Sequence, residues 1–140
     1  MTSFVLDASA TATWCLLDEA TSETAALRDS LDAGARAVVP PLWIWEIANL
    51  LTMSVRRNRL SEADVRTATA MLSAMPIDID ADSAGRTWNA TIQLAQSHKL
   101  TVYDASYLEL ALRRTLPLAT KDCALASAAL AEGVVLLLTP

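Results

Sequence analysis

"RAVVPPLWIWEIANLLTMSVRR", residues 36–57, joins two patterns that cannot belong to one element. Ala37 to Val39 is a short apolar, β-branched run stopped by two prolines, which reads as a buried strand. Pro41 suits the first turn of a helix, and the apolar-rich stretch after it continues to Arg56 and Arg57. A strand that runs directly into a long helix is half of a β–α unit, and the alternation recurs on both sides. Upstream, Phe4 to Leu6 predicts a strand, followed by helices over about Ala10–Leu17 and Ser22–Ala33, the second closed by Gly34. Downstream, Ser61 and Asp64 have capping-box spacing for a helix reaching about Ala74, and Ile77 to Ile79 alternates like a strand. Residues 81–100 look helical despite Gly85. "TVYDASYLELALRR", 101–114, carries apolar residues at helical spacing, although "LTVY" at its start also suits a short strand. "LPLAT", 116–120, is a strand; residues 121–132 are a helix closed by Gly133; and "VVLLL", Val134 to Leu138, is a last strand. Strands separated by helices imply parallel pairing, so the fold class is α/β with a mostly parallel central sheet covered on both faces.

The bulk numbers agree with a folded chain. A length of 140 residues suits a single domain spanning 1–140, and 53% hydrophobic with 19% charged residues excludes disorder. Three glycines and five prolines leave little room for long loops. The longest apolar run, Val134 to Leu138, is too short to span a bilayer. "MTSFVLDAS" has no basic region and an acid at position 7, unlike a secretory signal. A soluble, cytoplasmic protein is expected. Cys15 and Cys123 form no C-x-x-C pattern and no disulfide framework, so both read as small buried apolar side chains. His98, the one histidine, reads as a surface residue at a helix end.

Four acids stand apart from the rest. In an open α/β sheet, sites form beyond the carboxyl ends of the strands. Asp7 directly follows the first strand, and Asp122 follows "LPLAT" by two residues. Glu46 is the one charge between Arg36 and Arg56, in a segment whose neighbours are nearly all apolar. A lone buried carboxylate is costly unless it is paired or binds a metal. No base lies within a helical turn of it, while Asn49, three residues on, lies within hydrogen-bonding reach. Asp104 shares the apolar face of its own segment. Singly, Asp104 and Asp122 suit helix caps and Asp7 suits a strand-end turn; one shared site accounts for all four. Converging carboxylates stay ionised only beside a cation. Oxygen ligands without a histidine cluster favour Mg²⁺ or Mn²⁺ over zinc. Such an ion activates water and steadies the leaving oxygen of a phosphodiester. No Ser-His-Asp set, P-loop or glycine-rich dinucleotide loop competes.

"FVLDAS", "PPLWIWEIANLL", "TVYDASYLELAL" and "LPLATKDCAL", in that order, resemble a PIN domain, and more narrowly the compact VapC-type toxins of toxin–antitoxin pairs. The resemblance spans essentially the whole chain. It implies a three-layer α/β/α sandwich and a Mg²⁺- or Mn²⁺-dependent endoribonuclease that cleaves RNA through a metal-activated water held by four carboxylates. It also implies a homodimer and a cognate antitoxin protein as partner. The family's acidic quartet falls on Asp7, Glu46, Asp104 and Asp122. Ser9 and Thr120 match hydroxyls that accompany the first and last acids and can place a metal-bound water or a phosphate oxygen. In the family the segment before Asp104 is a loop leading into a helix, which weighs against a strand at "LTVY".

A net charge of −5 argues, at first sight, against a nucleic-acid binder. Of the 16 acids, setting the quartet aside leaves 12 against 11 basic residues, which is nearly neutral. Arg56, Arg57, Arg59, Arg113, Arg114 and Lys121 are candidates for a phosphate backbone, for solvated helix ends, or for an acidic antitoxin segment. Trp43 and Trp45 suit either the core or a groove for an antitoxin helix; Trp14 and Trp88 suit the core or a dimer contact. With 5% aromatic residues, broad base stacking is not expected, and RNA specificity is expected from folded shape or from a short single-stranded loop. Two other readings remain: a catalytically inactive PIN-like interaction protein, and a receiver-like Mg²⁺-binding signalling module. The second is disfavoured because Asp78 and Asp80 on the middle strand come without a clear phospho-acceptor.

Overall fold

The computed structural model describes residues 3–140; Met1 and Thr2, which begin the stretch read for a secretory signal, lie outside the described residues. Four short strands, β1 (Ser3–Leu6), β2 (Arg36–Val39), β3 (Ile77–Ile79) and β4 (Leu118–Ala119), form one sheet in the order β3-β2-β1-β4. Every pairing is parallel: Phe4 opposes Ala37, Val38 opposes Asp78, and Leu6 opposes Ala119. Central β1 is almost entirely apolar and buried, as a strand covered on both faces must be.

The helices are α1 (Ala8–Cys15), α2 (Ser22–Asp32), α3 (Leu42–Arg56), α4 (Glu62–Ala74), α5 (Ser83–Arg86), α6 (Ile92–His98), α7 (Val102–Arg114) and α8 (Cys123–Ala131). The main helix–helix contacts run among α1 to α4 and among α5 to α8. These are the two helical layers of an α/β/α sandwich. Local sequence sets the boundaries. Ser61 and Asp64 make both bonds of the expected capping box (Asp64 N–H to Ser61 Oγ 3.1 Å, Ser61 N–H to Asp64 Oδ2 2.8 Å). Gly34 after α2 takes φ 107°, open to glycine at no steric cost. The helical stretch over residues 81–100 is interrupted by a π-turn at Thr87–Thr91 between α5 and α6.

Three expectations need correction. "LTVY" is not a strand: Thr101 caps α7, its Oγ1 accepting the Asp104 N–H at 3.1 Å, and Val102 is already helical. "VVLLL" is not a full strand. It runs beside β4, itself two residues long, with one bridge at Leu136, the Leu118 N–H donating to Val135 O at 2.9 Å and the Leu137 N–H to Leu118 O at 3.0 Å. Cys15 is buried, but Cys123 is exposed at the start of α8.

The strand order places the site. From β1 the chain steps through β2 to β3 on one side, then crosses to β4 on the other. The loops after β1 and β4 therefore diverge, leaving a crevice at the carboxyl end where ligands of open α/β sheets bind.

Candidate active site

Asp7 stands at this switch point, buried, one residue past β1. It occupies the N-cap position of α1 without making a side-chain cap bond. Its Oδ2 instead accepts the hydroxyls of Ser9 and Thr120, each at 2.7 Å. The two hydroxyls lie 3.2 Å apart. Ser9 Oγ also accepts the Lys121 N–H at 2.8 Å, and Thr120 Oγ1 the Asp122 N–H at 3.0 Å. The structure thus turns both hydroxyls onto Asp7, stitching the loop after β1 to the loop after β4.

Asp122 is the N-cap of α8, its Oδ2 accepting the Leu125 N–H at 2.8 Å. Asp104 is in the first turn of α7, half-buried; the cap is Thr101, so Asp104 is not the end-stop of its helix. Glu46 is half-buried on α3. Its Oε1 accepts the Tyr107 hydroxyl at 2.5 Å, in place of the expected contact with Asn49, which is exposed. Tyr107 was not singled out by the sequence reading, although it follows Asp104 by three residues on one helical face, and a buried phenol needs a partner.

Three of the acids, Asp7, Glu46 and Asp104, are held above the usual carboxylate range. Burial pushes Asp104 up, the charges of Asp7 and Asp122 push it further, and it reaches about 6 despite the Thr101 hydroxyl. Burial also raises Glu46; the Tyr107 hydrogen bond opposes this, and the charges of Asp7 and Asp104 add to it. Asp7 is raised by burial against the pull of Thr120, Ser9 and the nearby amides. Among the described residues none of the four is in a salt bridge. Nor do three His, Cys, Asp or Glu side chains there converge closely enough to make a finished metal cage. The donors are all oxygen, and Mg²⁺ characteristically takes one or two carboxylates while keeping several waters. The donor set and its unbalanced negative charge fit a hard divalent cation.

Several basic residues are taken up elsewhere. Arg113 donates to Glu109 (2.7 Å) and Asp80 (2.7 Å), and Arg114 reaches Asp80 at 3.8 Å. Arg59 pairs with Asp18 and Glu19. Lys121 Nζ donates to the Thr139 carbonyl. Asp78 is held by Arg36 and Asp80 by Arg113, so the acids of a receiver-like module are committed to ion pairs. His98 ends α6 against Glu132 at 2.8 Å. Trp14 and Trp43 are core, their Nε1–H donating to Thr24 O and Thr11 Oγ1, each at 2.9 Å; Trp45 and Trp88 are exposed. Trp45, Tyr103, Val102, Pro40 and Pro41 line a cleft of about 260 Å³, and Trp45 and Tyr103 each directly precede an acid of the notch. A second apolar groove, about 360 Å³, runs between α3 and α4 past Ile44, Ile47 and Leu72.

Among the described residues no helix is long and apolar enough to cross a membrane. No curated protein matches the chain. Among solved structures, it is similar to PAE2754 from Pyrobaculum aerophilum (24% identity, 98% of this chain and 92% of that one, TM-score 0.68). It is also similar to VapBC2 from Rickettsia felis bound to a DNA fragment from their promoter (10% identity, 97% of each chain, TM-score 0.64). A third is a toxin–antitoxin complex from Klebsiella pneumoniae (18% identity, 98% and 99%, TM-score 0.58). At these identities the likenesses concern the fold. The PIN domain family model matches residues 4–139, nearly the whole chain and all four acids included: the protein belongs to the PIN domain family.

Proposed function

We propose that this chain is a cytoplasmic VapC-like toxin, a Mg²⁺- or Mn²⁺-dependent endoribonuclease working as one domain over residues 1–140. The observation that carries this reading is a set of acids without counter-charge: the charges of Asp7 and Asp122 raise Asp104, those of Asp7 and Asp104 raise Glu46, and among the described residues none of the four is in a salt bridge. PIN membership supports nuclease chemistry, and of the similar structures one is named VapBC2 and another a toxin–antitoxin complex.

In this reading Asp7, Glu46, Asp104 and Asp122 would hold the cation. When bound, it supplies an acidified water and stabilises negative charge on a phosphodiester's leaving oxygen. The chain supplies the positioning. Ser9 and Thr120 act as positioning residues, each donating its proton to Asp7 Oδ2 and fixing the direction of that carboxylate. Trp45 and Tyr103 give the notch an aromatic rim on which an unpaired base stacks, a contact worth about 1–3 kcal/mol per base. That fits a single-stranded RNA loop, and it reduces the need for a basic surface now that Arg59 and Arg113 are bound to acids. The groove between α3 and α4 suits an amphipathic antitoxin helix. Trp88, 86% exposed, suits a contact with a second copy in a homodimer.

The test is cleavage of total cellular RNA with end mapping, in Mg²⁺, Mn²⁺ and chelator. Discrete metal-dependent cuts that vanish in Asp7→Asn and Glu46→Gln are expected, together with growth arrest that Glu46→Gln relieves. Cleavage undiminished in both variants contradicts the mechanism.

A further inference from the structure

We infer that Tyr107 is a positioning residue that locks Glu46 into the metal notch and keys together the acid-bearing elements of both helical layers. The inference rests on the proposed reading of Glu46 as a metal ligand.

Tyr107 is fully buried, and its hydroxyl donates to Glu46 Oε1 at 2.5 Å. Charge-assisted O–H···O⁻ bonds fall at this length and are about twice as strong as neutral ones. The two partners come from opposite sides of the sheet, Glu46 from α3 and Tyr107 from α7. Asp104 lies one helical turn before Tyr107 on α7, so the phenol fixes Glu46 relative to Asp104 through a single rigid helix. One side chain therefore touches the helix that bears Glu46 and sits on the helix that bears Asp104.

A core tyrosine at this place has no packing reason to carry a hydroxyl, because Leu108, Leu110 and Ala111 beside it are wholly apolar and just as buried. Glu46 in turn has no cationic partner among the described residues. The bond leaves Glu46 Oε2 without a protein hydrogen bond there, available to a cation. Outer-shell partners of ligating carboxylates typically tune metal affinity by about 10–100-fold.

The experiment compares wild type, Tyr107→Phe, Glu46→Gln, the double variant and Asp104→Asn by Mn²⁺ titration calorimetry and by single-turnover RNA cleavage. Tyr107→Phe keeps the ring and should weaken Mn²⁺ binding about 10-fold or more, lowering kcat with KM for RNA unchanged. Read by Mn²⁺ titration, the same change made in Glu46→Gln should weaken the residual binding little further, because the bond's purpose is already gone. A merely structural tyrosine would weaken both backgrounds equally, and that result overturns the inference. So does wild-type Mn²⁺ affinity in Tyr107→Phe while Asp104→Asn loses binding. If Asp104→Asn itself binds and cleaves normally, the underlying nuclease reading fails instead. Should Tyr107→Phe not fold, the Tyr107 hydroxyl proton decides: it should appear far downfield in the proton NMR spectrum of the wild type and vanish in Glu46→Ala. Its persistence there overturns the inference.

Discussion

Two groups of acids at the carboxyl edge of the sheet behave in opposite ways, and helix α7 contributes to both. At one end of α7, Asp104 feels the charges of Asp7 and Asp122, and Glu46 those of Asp7 and Asp104. At the other, Glu109 and Asp80 surround Arg113, with Ser83 donating to Asp80 at 2.6 Å. Burial pushes Asp80 up as it does Asp104. In Asp80, however, the hydrogen bonds and charges of Arg113, Ser83 and Arg114 outweigh burial and hold the carboxyl below its usual range, whereas Asp104 is left at about 6. A buried acid alone therefore says little. What separates a structural cluster from a candidate metal site is whether the protein supplies the counter-charge itself.

The largest effect expected from this contrast is on catalysis. Asp7→Asn or Asp104→Asn should lower metal-dependent RNA cleavage by about 100-fold or more, while Arg113→Ala, if it folds, should leave the cleavage pattern unchanged. Gel-resolved cleavage of one mapped RNA measures both. Next is stability. Removing Arg113 strands two buried carboxylates and should cost about 3–5 kcal/mol in urea denaturation. A loss below about 1 kcal/mol would mean that the cluster is far better solvated than its geometry implies.

A smaller effect of opposite sign belongs to the notch. The Asp104 carboxyl titrates near 6 in the folded chain against 3.8 for an unperturbed one. Between about pH 6 and pH 4 the folded state thus binds a proton that the unfolded state has not yet taken up, so stability rises as pH falls through that window. Asp7 and Glu46 act in the same direction. In chelator the melting temperature should be about 2–4 °C higher at pH 5 than at pH 7, and Asp104→Asn should shrink that difference. A fall on acidification would contradict it. The smallest effect is on the surface: Arg36 and Asp78 are bidentate but 53% and 48% exposed, and Arg36→Ala should cost about 0–1 kcal/mol.

The same contrast marks what could be read in the sequence. The β–α alternation was legible because buried parallel strands are short apolar runs and amphipathic helices repeat at their own period. The four acids were legible because each departs from its setting, Glu46 most of all. Three things were hidden. Arg113 looked like a solvated helix end, since its partner Asp80 is 33 residues away and only folding brings them together. "LTVY" has strand-like composition, but Thr101 and Asp104 stand three apart, a helix-start signature that outweighs it. The partner of Tyr107 gives no signal in the sequence because it lies 61 residues back, on the other side of the sheet.

Melting of wild type and Asp104→Asn at pH 7, in chelator and in saturating Mn²⁺, tests the central claim most directly. If the notch is a set of repelling carboxylates awaiting a cation, Asp104→Asn melts higher than wild type in chelator, and the order reverses in Mn²⁺, where a ligand at 100 times its Kd adds about 2.7 kcal/mol to the wild type. If Asp104→Asn melts lower in chelator and gains as much from Mn²⁺ as the wild type does, the four acids do not form a metal site.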